Sequence, residues 1–403
     1  MEKKLRLGVI GACGRGMLSD WAHRPDEGVE VVAGADTYEL QRKGFAERHQ
    51  EKFRHAVNVY ADYREMVEKE HLDGVFITSP DFTHEEIACF CLEHKVPVYL
   101  EKPIAISIES ADRILRAAKE SGTQLMLGHN MRYMTFTNKM REIIQSGMIG
   151  EVKAVWCRHF ISYGGDAYFR DWHADRANTC SLLLQKGAHD IDVIHWLAGS
   201  RTVRVSGIGT LAVYGSVPRR THGEEHLFQK ELDIHAFWKN EHWPPSELDG
   251  YYPTVNNEDI NMVNLQLANG VQACYLQCHF TPDCCRNYTV IGTKGRIENM
   301  GDGENGTTVE VWTRRTDSFR RDGDVTYRMP PPGEGHGGAD PVIVKNFIDV
   351  LRGKAVPVST PQGARYAVAA GVLGAKSIRE NGMPCDIPAL PDDLENYDFS
   401  RNE

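Results

Sequence analysis

Leu5-Arg6-Leu7-Gly8-Val9-Ile10-Gly11-Ala12-Cys13-Gly14-Arg15-Gly16 is the stretch from which the fold of this 403-residue chain is read. Its first six residues form a short apolar strand, and its last six form a glycine-rich turn that opens a helix. Glycine at the first and sixth places of such a turn lets the chain bend tightly and brings backbone N–H groups up to a pyrophosphate. The third place, also glycine in the full fingerprint, is Cys13, whose small side chain and neighbour Gly14 still permit a close approach. Asp36 ends the next strand twenty residues after Gly16. A carboxylate there accepts from a ribose 2′-hydroxyl and repels a 2′-phosphate, so the spacing predicts NAD rather than NADP. Gly11, Cys13, Gly14, Arg15, Gly16, Asp36 and Thr37 are the expected cofactor-binding residues of this turn.

From there to about residue 130, β-branched runs alternate with helical patterns, which argues for parallel strands joined by helical crossovers. Strands are expected at 5–10, 29–34, 58–60, 74–78, 96–100 and 124–127, with Ser107 as an N-cap and Gly122 as a helix stop. Beyond residue 150 the strands lengthen: 151–161, 203–213, 232–238, 260–268, 271–280 and 287–297. Asn269-Gly270 is a tight-turn signal between two of them, so this sheet is expected to be antiparallel. One long helix, 181–197, interrupts the strands, with Leu184, Ala188, Ile191 and Ile194 on its packing face and Gly199 as its stop. Helices at 341–351 and 364–380 close the pattern. The Gly-, Pro- and charge-rich stretches 214–229, 241–257 and 300–338 read as loops. The fold class is α/β: a doubly wound parallel sheet over 1–130, then an α/β domain over 131–403 with a large, mostly antiparallel open sheet.

Composition narrows the function classes. Lys and Arg number 46 against 56 Asp and Glu, a net charge of −10, which is the wrong sign for a chain that neutralises phosphates, so no nucleic-acid partner is expected. No apolar run approaches the roughly 20 residues of a membrane span, so no membrane partner is expected. The first residues lack the pattern of a secretory signal, which reads as a cytoplasmic protein. Ten cysteines are too sparse for a disulfide scaffold. Adjacent Cys284 and Cys285 read as reduced thiols on a strand. His222, His226, His235 and His242 fall in loops without firm ligand geometry, so no metal is expected.

Three further segments carry chemistry. Thr78-Ser79-Pro80-Asp81-Phe82-Thr83-His84 and Glu101-Lys102-Pro103 follow two strands at the carboxyl edge, where such sheets place ligands. Gly128-His129-Asn130-Met131-Arg132-Tyr133 follows the next. A lysine beside an oxidised nicotinamide feels its positive charge and is suited to managing a hydroxyl proton. On the interrupting helix, Lys186-Gly187-Ala188-His189-Asp190-Ile191-Asp192 puts His189 on one face with Gln185 and Asp192. Lys186 and Asp190 have the spacing of a surface ion pair.

This succession of motifs, from the glycine turn through Glu101-Lys102-Pro103 to the Gly187-x-His189-x-x-Asp192 helix, resembles the glucose–fructose oxidoreductase/inositol dehydrogenase (Gfo/Idh/MocA) family. The resemblance spans nearly the whole chain. It implies a Rossmann domain binding NAD, and a C-terminal domain whose open sheet mediates homodimers or homotetramers. It implies Lys102 and His189 as catalytic residues, Glu101 beside the nicotinamide ribose, and Ser79, Pro80 and His84 along the cofactor. Arg132, Tyr133, Arg158, Tyr163, Trp172, His173, Gln185 and His189 are the residues expected at a sugar. In two places the chain departs from the family. Gln185 stands where relatives carry an aspartate, and Asn178-Thr179-Cys180-Ser181 replaces a di- or triglycine.

The expected function is NAD-dependent oxidation of a secondary hydroxyl of a pyranose sugar or glycoside. The alternative is an NAD-dependent, redox-neutral glycoside hydrolase that oxidises transiently, eliminates, hydrates and re-reduces, with Tyr133, Tyr163 and His189 as its candidate bases. An anionic glycoside such as a sulfoquinovoside would draw on Arg158, Arg286 and Lys186, because a guanidinium fork or an ammonium suits a carboxylate or sulfonate. A third class is a non-catalytic NAD-binding regulator.

Overall fold

The computed structural model describes residues 3–223 and 250–400. Two compact units emerge. The first joins Met1–Tyr133 with Gly333–Arg365 and Ala389–Glu403, and the second joins Met134–Pro332 with Tyr366–Pro388.

The first unit holds six parallel strands: β1 (Leu5–Ile10), β2 (Val29–Ala35), β3 (Asn58–Tyr60), β4 (Gly74–Ile77), β5 (Val98–Leu100) and β6 (Leu125–Leu127). Their order is β3-β2-β1-β4-β5-β6, so the chain reverses direction across the sheet between β1 and β4. Ligands bind outside the carboxyl ends of the strands at such a switch point. Ser107 caps the Ile108–Ser121 helix by accepting from Ser110 N, and Gly122 ends it in the left-handed region. One core joins Leu5, Leu7 and Val9 of β1 to Phe76 and Tyr99. Ile343, Val344 and Phe347 of the Ala339–Leu351 helix complete it, so a late segment of chain finishes the first unit. The helix expected after the glycine turn is a 3-10 helix, Gly14–Trp21. Two glycines in its first three positions disfavour an α-helix, and the Ser19 hydroxyl donates to Gly16 O, competing with the helical amide.

The second unit is built on nine strands in the order β14-β13-β12-β11-β7-β10-β9-β8-β15. They are β7 (Val152–Phe160), β8 (Thr202–Thr210), β9 (Ile260–Leu267), β10 (Gln272–Cys278), β11 (Cys285–Gly292), β12 (Arg296–Met300), β13 (Thr308–Trp312), β14 (Val325–Arg328) and β15 (Cys385–Asp386). All neighbours are antiparallel except β7 and β10. Gly270, at φ +84°, closes the β9–β10 hairpin as expected.

Four expectations need correction or placing. The single strand 287–297 is a hairpin, β11 and β12. A Cβ at Gly292 would lie 2.1 Å from Ile149 O and one at Gly295 would lie 2.6 Å from Trp312 O, so only glycine fits at either end of the turn. The expected loop 300–338 contains β13 and β14, which extend that hairpin into a meander. The long helix divides at Lys186 into Leu182–Gln185 and Gly187–Ala198. The strand expected at 232–238, with His226, His235 and His242, lies outside the described residues.

The Gly187–Ala198 helix packs on β7 and β10, and Ala188, Ile191 and Ile194 of the expected packing face are buried in it, as is Leu184 in the short helix before it. Gly187 lets it approach: a Cβ there would sit 2.8 Å from Tyr275 Cε1 and 3.3 Å from Leu183 Cδ1. Gly187→Ala is expected to destabilise the protein by about 1–3 kcal/mol through forced displacement of the Tyr275 ring, measured by urea unfolding.

Candidate active site

In the first unit the glycine turn is shaped by contacts that exclude a side chain. Gly11 has φ +85°, and a Cβ on it would lie 2.6 Å from Ser79 N; one on Gly16 would lie 2.3 Å from Gly11 O. The Thr78 hydroxyl donates to Gly11 O at 2.8 Å, tying the end of β4 to the turn. Cys13 has φ −116° and ψ 178°, extended backbone that any residue adopts, which explains why glycine is dispensable there. Burial and then the Asp36 charge push its thiol up to about 12, so it is a neutral side chain. Asp36 follows β2, its carboxylate accepting from Ala12 N at 3.1 Å and Tyr38 N at 3.0 Å. Burial raises its pKa against those hydrogen bonds. Thr37 beside it is exposed. A tight turn that admits no Cβ at Gly11 or Gly16, next to a carboxylate at the second strand end, fits a dinucleotide.

The other expected cofactor residues lie at the same edge. Glu101 follows β5 and is 5% exposed. Its Oε1 accepts from Arg15 Nε at 3.0 Å and Nη2 at 2.7 Å, and its Oε2 accepts from Lys102 N at 3.1 Å. Lys102 is half-buried. Ser79 Oγ accepts from the Thr83 hydroxyl at 2.7 Å, and Pro80 begins the turn Asp81–Thr83 as its N-cap. His84 is buried and bridges two loops, with Nδ1 2.8 Å from Pro103 O and Nε2 2.9 Å from Ser79 O. Arg132 and Tyr133 also belong to this unit. Arg132 Nη1 donates to Val358 O at 3.0 Å, and the Tyr133 hydroxyl donates to Asn346 Oδ1 at 2.7 Å.

In the second unit the site is laid out by strand register. Asn261 on β9, Gln277 on β10, His159 on β7 and Arg286 on β11 are paired side by side across four strands. All four are buried, and His159 and Arg286 face the Gly187–Ala198 helix through Asp190. The Asp190 carboxylate forms an ion pair with Arg286 at 2.8 Å, accepts from His159 Nδ1 at 3.1 Å and accepts a short hydrogen bond from the Tyr288 hydroxyl. The Tyr275 hydroxyl, 3.2 Å from His159 Nδ1, donates to Gln277 Oε1 at 3.0 Å. Burial works to raise Asp190, but Arg286 and His159 outweigh it and hold the carboxyl below the usual range. Burial and the Arg286 charge push His159 down to about 3, against the pull of Asp190.

The structure gathers most of the expected sugar-site residues of this unit around that layer. Lys186 Nζ donates to the Tyr163 hydroxyl at 3.1 Å, and its charge lies 5.5 Å from the ring centres of both Tyr163 and Tyr168. The Tyr168 ring stands edge-on to His173 and to His279, each 5.3 Å away. Trp172 stacks on His173 at 3.6 Å, and Asp171 holds His173 Nδ1. Gln185 ends the Leu182–Gln185 helix and His189 lies in the first turn of the Gly187–Ala198 helix, and both are buried, at 7% and 8% exposure. The surface ion pair expected between Lys186 and Asp190 is absent, because Asp190 is committed to the sheet and Lys186 to Tyr163. Arg158 is not brought in: it alternates with His159, points to the exposed face and donates from Nε to Asn287 Oδ1 at 3.1 Å. His159 and Tyr275 lie in none of the sequence motifs. The alternation along β7, with Val155, Cys157 and His159 buried between exposed Trp156 and Arg158, is the signal that marks His159 as inward.

Comparison with known proteins gives the following. The family model described as "Oxidoreductase family, NAD-binding Rossmann fold" matches residues 5–129, and "Oxidoreductase family, C-terminal alpha/beta domain" matches residues 141–387. The protein YteT of Bacillus subtilis (strain 168) is 24% identical over 352 residues, 79% of this chain and 82% of that protein. An inositol 2-dehydrogenase of Ralstonia nicotianae is 30% identical over 234 residues, covering 57% of this chain and 62% of the relative. Among solved structures, levoglucosan dehydrogenase in complex with NADH and levoglucosan aligns with a TM-score of 0.75 at 17% identity, over 96% of this chain and all of that one. At that identity the likeness shows the fold. No described helix is long and apolar enough to cross a membrane.

His159 makes the stability of the protein depend on pH. Its pKa of about 3 lies below the ordinary 6.5, so the unfolded chain takes up a proton that the folded protein refuses. That stability is fully present above pH 6.5 and is lost as pH falls toward 3, by about 1.4 kcal/mol per pH unit for this one group. His159→Asn is expected to make the fall in urea-unfolding free energy between about pH 6 and pH 4 shallower by about one proton.

Proposed function

The chain belongs to the Gfo/Idh/MocA oxidoreductase family, and on that premise we propose that it oxidises a secondary hydroxyl of a pyranose sugar or glycoside with NAD. Bound NAD supplies a hydride acceptor. The turn of Gly11, Cys13, Gly14 and Gly16 would hold its pyrophosphate, with Asp36 and Thr37 at the adenosine ribose and Ser79, Pro80, His84 and Glu101 along the rest. The observation that carries the reading is the placement of Lys102: its backbone N–H is held by Glu101 at the carboxyl end of β5, on the same edge as the glycine turn. A lysine there can take the hydroxyl proton at Nζ as the C–H bond is broken. His189 is assigned the matching acid–base role on the second unit, and Gln185 beside it can orient a hydroxyl but cannot hold a proton.

Tyr163, Trp172 and His173 are assigned to the sugar, aromatic rings and polar tips being suited to its apolar face and hydroxyls, and the family resemblance adds Arg132 and Tyr133. For an anionic sugar the candidates narrow to Lys186, since Arg286 is paired with Asp190 and Arg158 faces away. Self-association is supported by the outer face of the nine-stranded sheet, where Trp156, Ile208 and Met262 are 44%, 64% and 43% exposed.

The test is to mix purified protein and NAD with free sugars and nitrophenyl glycosides, anionic ones included, while following NADH absorbance and aglycone release together. NADH formed in proportion to sugar consumed is the expected result. Aglycone released over many turnovers without NADH accumulating would establish the redox-neutral hydrolase instead, and neither signal despite tight NAD binding would establish the regulator. Lys102→Ala is expected to abolish turnover while NAD affinity stays within about tenfold, because binding rests on the glycine turn and Asp36. Asp36→Ala is expected to weaken NAD binding measured by calorimetry.

A further inference from the structure

Arg15 sits within the glycine turn, yet its guanidinium faces into the protein. Nε donates to Glu101 Oε1, and Nη2 donates both to Glu101 Oε1 and, at 3.2 Å, to Asp340 Oδ1. Nη1 lies 2.9 Å from Asp340 Oδ2 and 3.2 Å from His336 Nδ1. Carboxylate oxygens take four of the five N–H donors of the guanidinium, since His336 Nδ1 cannot accept from Arg15 while it donates to Asp340. Asp340 is 2% exposed and opens the Ala339–Leu351 helix. Besides Arg15 it takes a hydrogen bond from Asn130 Nδ2 at 3.1 Å and lies 2.8 Å from His336 Nδ1. Burial would raise its pKa, but His336 and Arg15 hold it below the ordinary carboxylate range. The backbone is shaped for this contact. Gly335 has φ +66°, and a Cβ on it would lie 2.9 Å from Asp340 Cβ and from Trp21. Gly128 leaves room on the other side, since its Cβ would lie 3.1 Å from Glu101 Cα and Cδ.

We infer that Asp340 is a positioning residue of the cofactor site, acting through Arg15 on Glu101. Arg15 is divided between two carboxylates. While Asp340 holds half of the guanidinium, Glu101 is fixed in direction by two charged hydrogen bonds but keeps part of its negative charge. Removing the Asp340 charge releases Arg15 wholly to Glu101 and neutralises it further. Glu101 has its Oε2 on Lys102 N, so the effect reaches the residue assigned to the hydroxyl proton. The inference rests on the cofactor reading above, in which Glu101 neighbours the nicotinamide. A carboxylate there attracts the cationic oxidised ring more than the neutral reduced one. Asp340 therefore tunes the preference of the site for NAD over NADH, which a side chain with a merely structural role would not do.

The experiment is calorimetric titration of the full chain with NAD and, separately, NADH, for wild type, Asp340→Asn, Glu101→Gln and the double variant, with thermal melting of each. Asp340→Asn is expected to weaken NAD by about tenfold and NADH by no more than about threefold. In the Glu101→Gln background the same substitution is expected to change NAD affinity by less than about twofold, because its route of action is gone. Arg15→Lys keeps the charge but cannot fork between two carboxylates, and it is one-third exposed, so it replaces Asp340→Asn if that variant fails to fold. It is expected to shift the NAD to NADH ratio in the same direction. An unchanged ratio in the folded variants, or effects of Asp340→Asn and Glu101→Gln that simply add, would overturn the inference. A wild-type protein that binds neither dinucleotide would overturn the cofactor reading and this inference with it.

Discussion

A carboxylate with no exposure at all is the constraint on which the second unit depends. Asp190 is the residue after His189, and its charge is tolerable inside the protein only because Arg286 and Tyr288 from β11 and His159 from β7 converge on it. Removing any one of them would leave a buried charge short of a partner, so sliding or rotating the helix against the sheet is expensive. The direction in which His189 leaves the helix is thereby set by three side chains on two strands. Gly187 permits the contact distance, and the segment before it is fixed by Ser181, which accepts from Leu184 N at 3.0 Å, and by Arg379, which donates to Cys180 O at 2.9 Å.

The first unit solves the same problem with the opposite charge at the centre. Arg15 is a cation shared by two carboxylates, one from the end of β5 and one from a helix whose Asp340 lies 325 residues beyond Arg15. In both units glycine supplies the space and a shared ion supplies the register. Gly11 and Gly16 fit no side chain, while Arg15 between them has a side chain long enough to reach the acids that fix the strand end beside Lys102. This explains how the turn tolerates Cys13: the backbone there is extended, and the tight approaches fall on the flanking glycines.

Much of this was legible in the chain and some was not, for reasons that differ. The six parallel strands are short apolar runs between turn residues, and reading them places each within about two residues of its observed ends. The position of Asp36 and of Glu101-Lys102-Pro103 at strand ends is legible because it depends on neighbours in the chain. The Arg15–Asp340 contact joins two distant segments, neither of which carries a local pattern that names the other. Arg158 and His159 show a subtler limit: adjacent residues on a strand face opposite ways, so an error of one position exchanges an inward imidazole for an outward guanidinium. The hairpin of β11 and β12 was read as one strand because Gly292-Thr293-Lys294-Gly295 divides two apolar runs with only four residues.

The absence of an aspartate at Gln185 gains meaning from the network beside it. A Gln cannot carry a proton, and the buried layer next to it does not offer a substitute near neutrality. His159 stays neutral down to about pH 3. Asp190 stays ionised, and burial pushes the Tyr275 and Tyr288 hydroxyls well above their ordinary range. Every member of that layer therefore holds one protonation state across the physiological range, which suits a scaffold and not a relay. Proton transfer in the proposed reaction is left to groups outside it, the two assigned being Lys102, whose backbone N–H is held by Glu101, and His189, the residue before the buried Asp190.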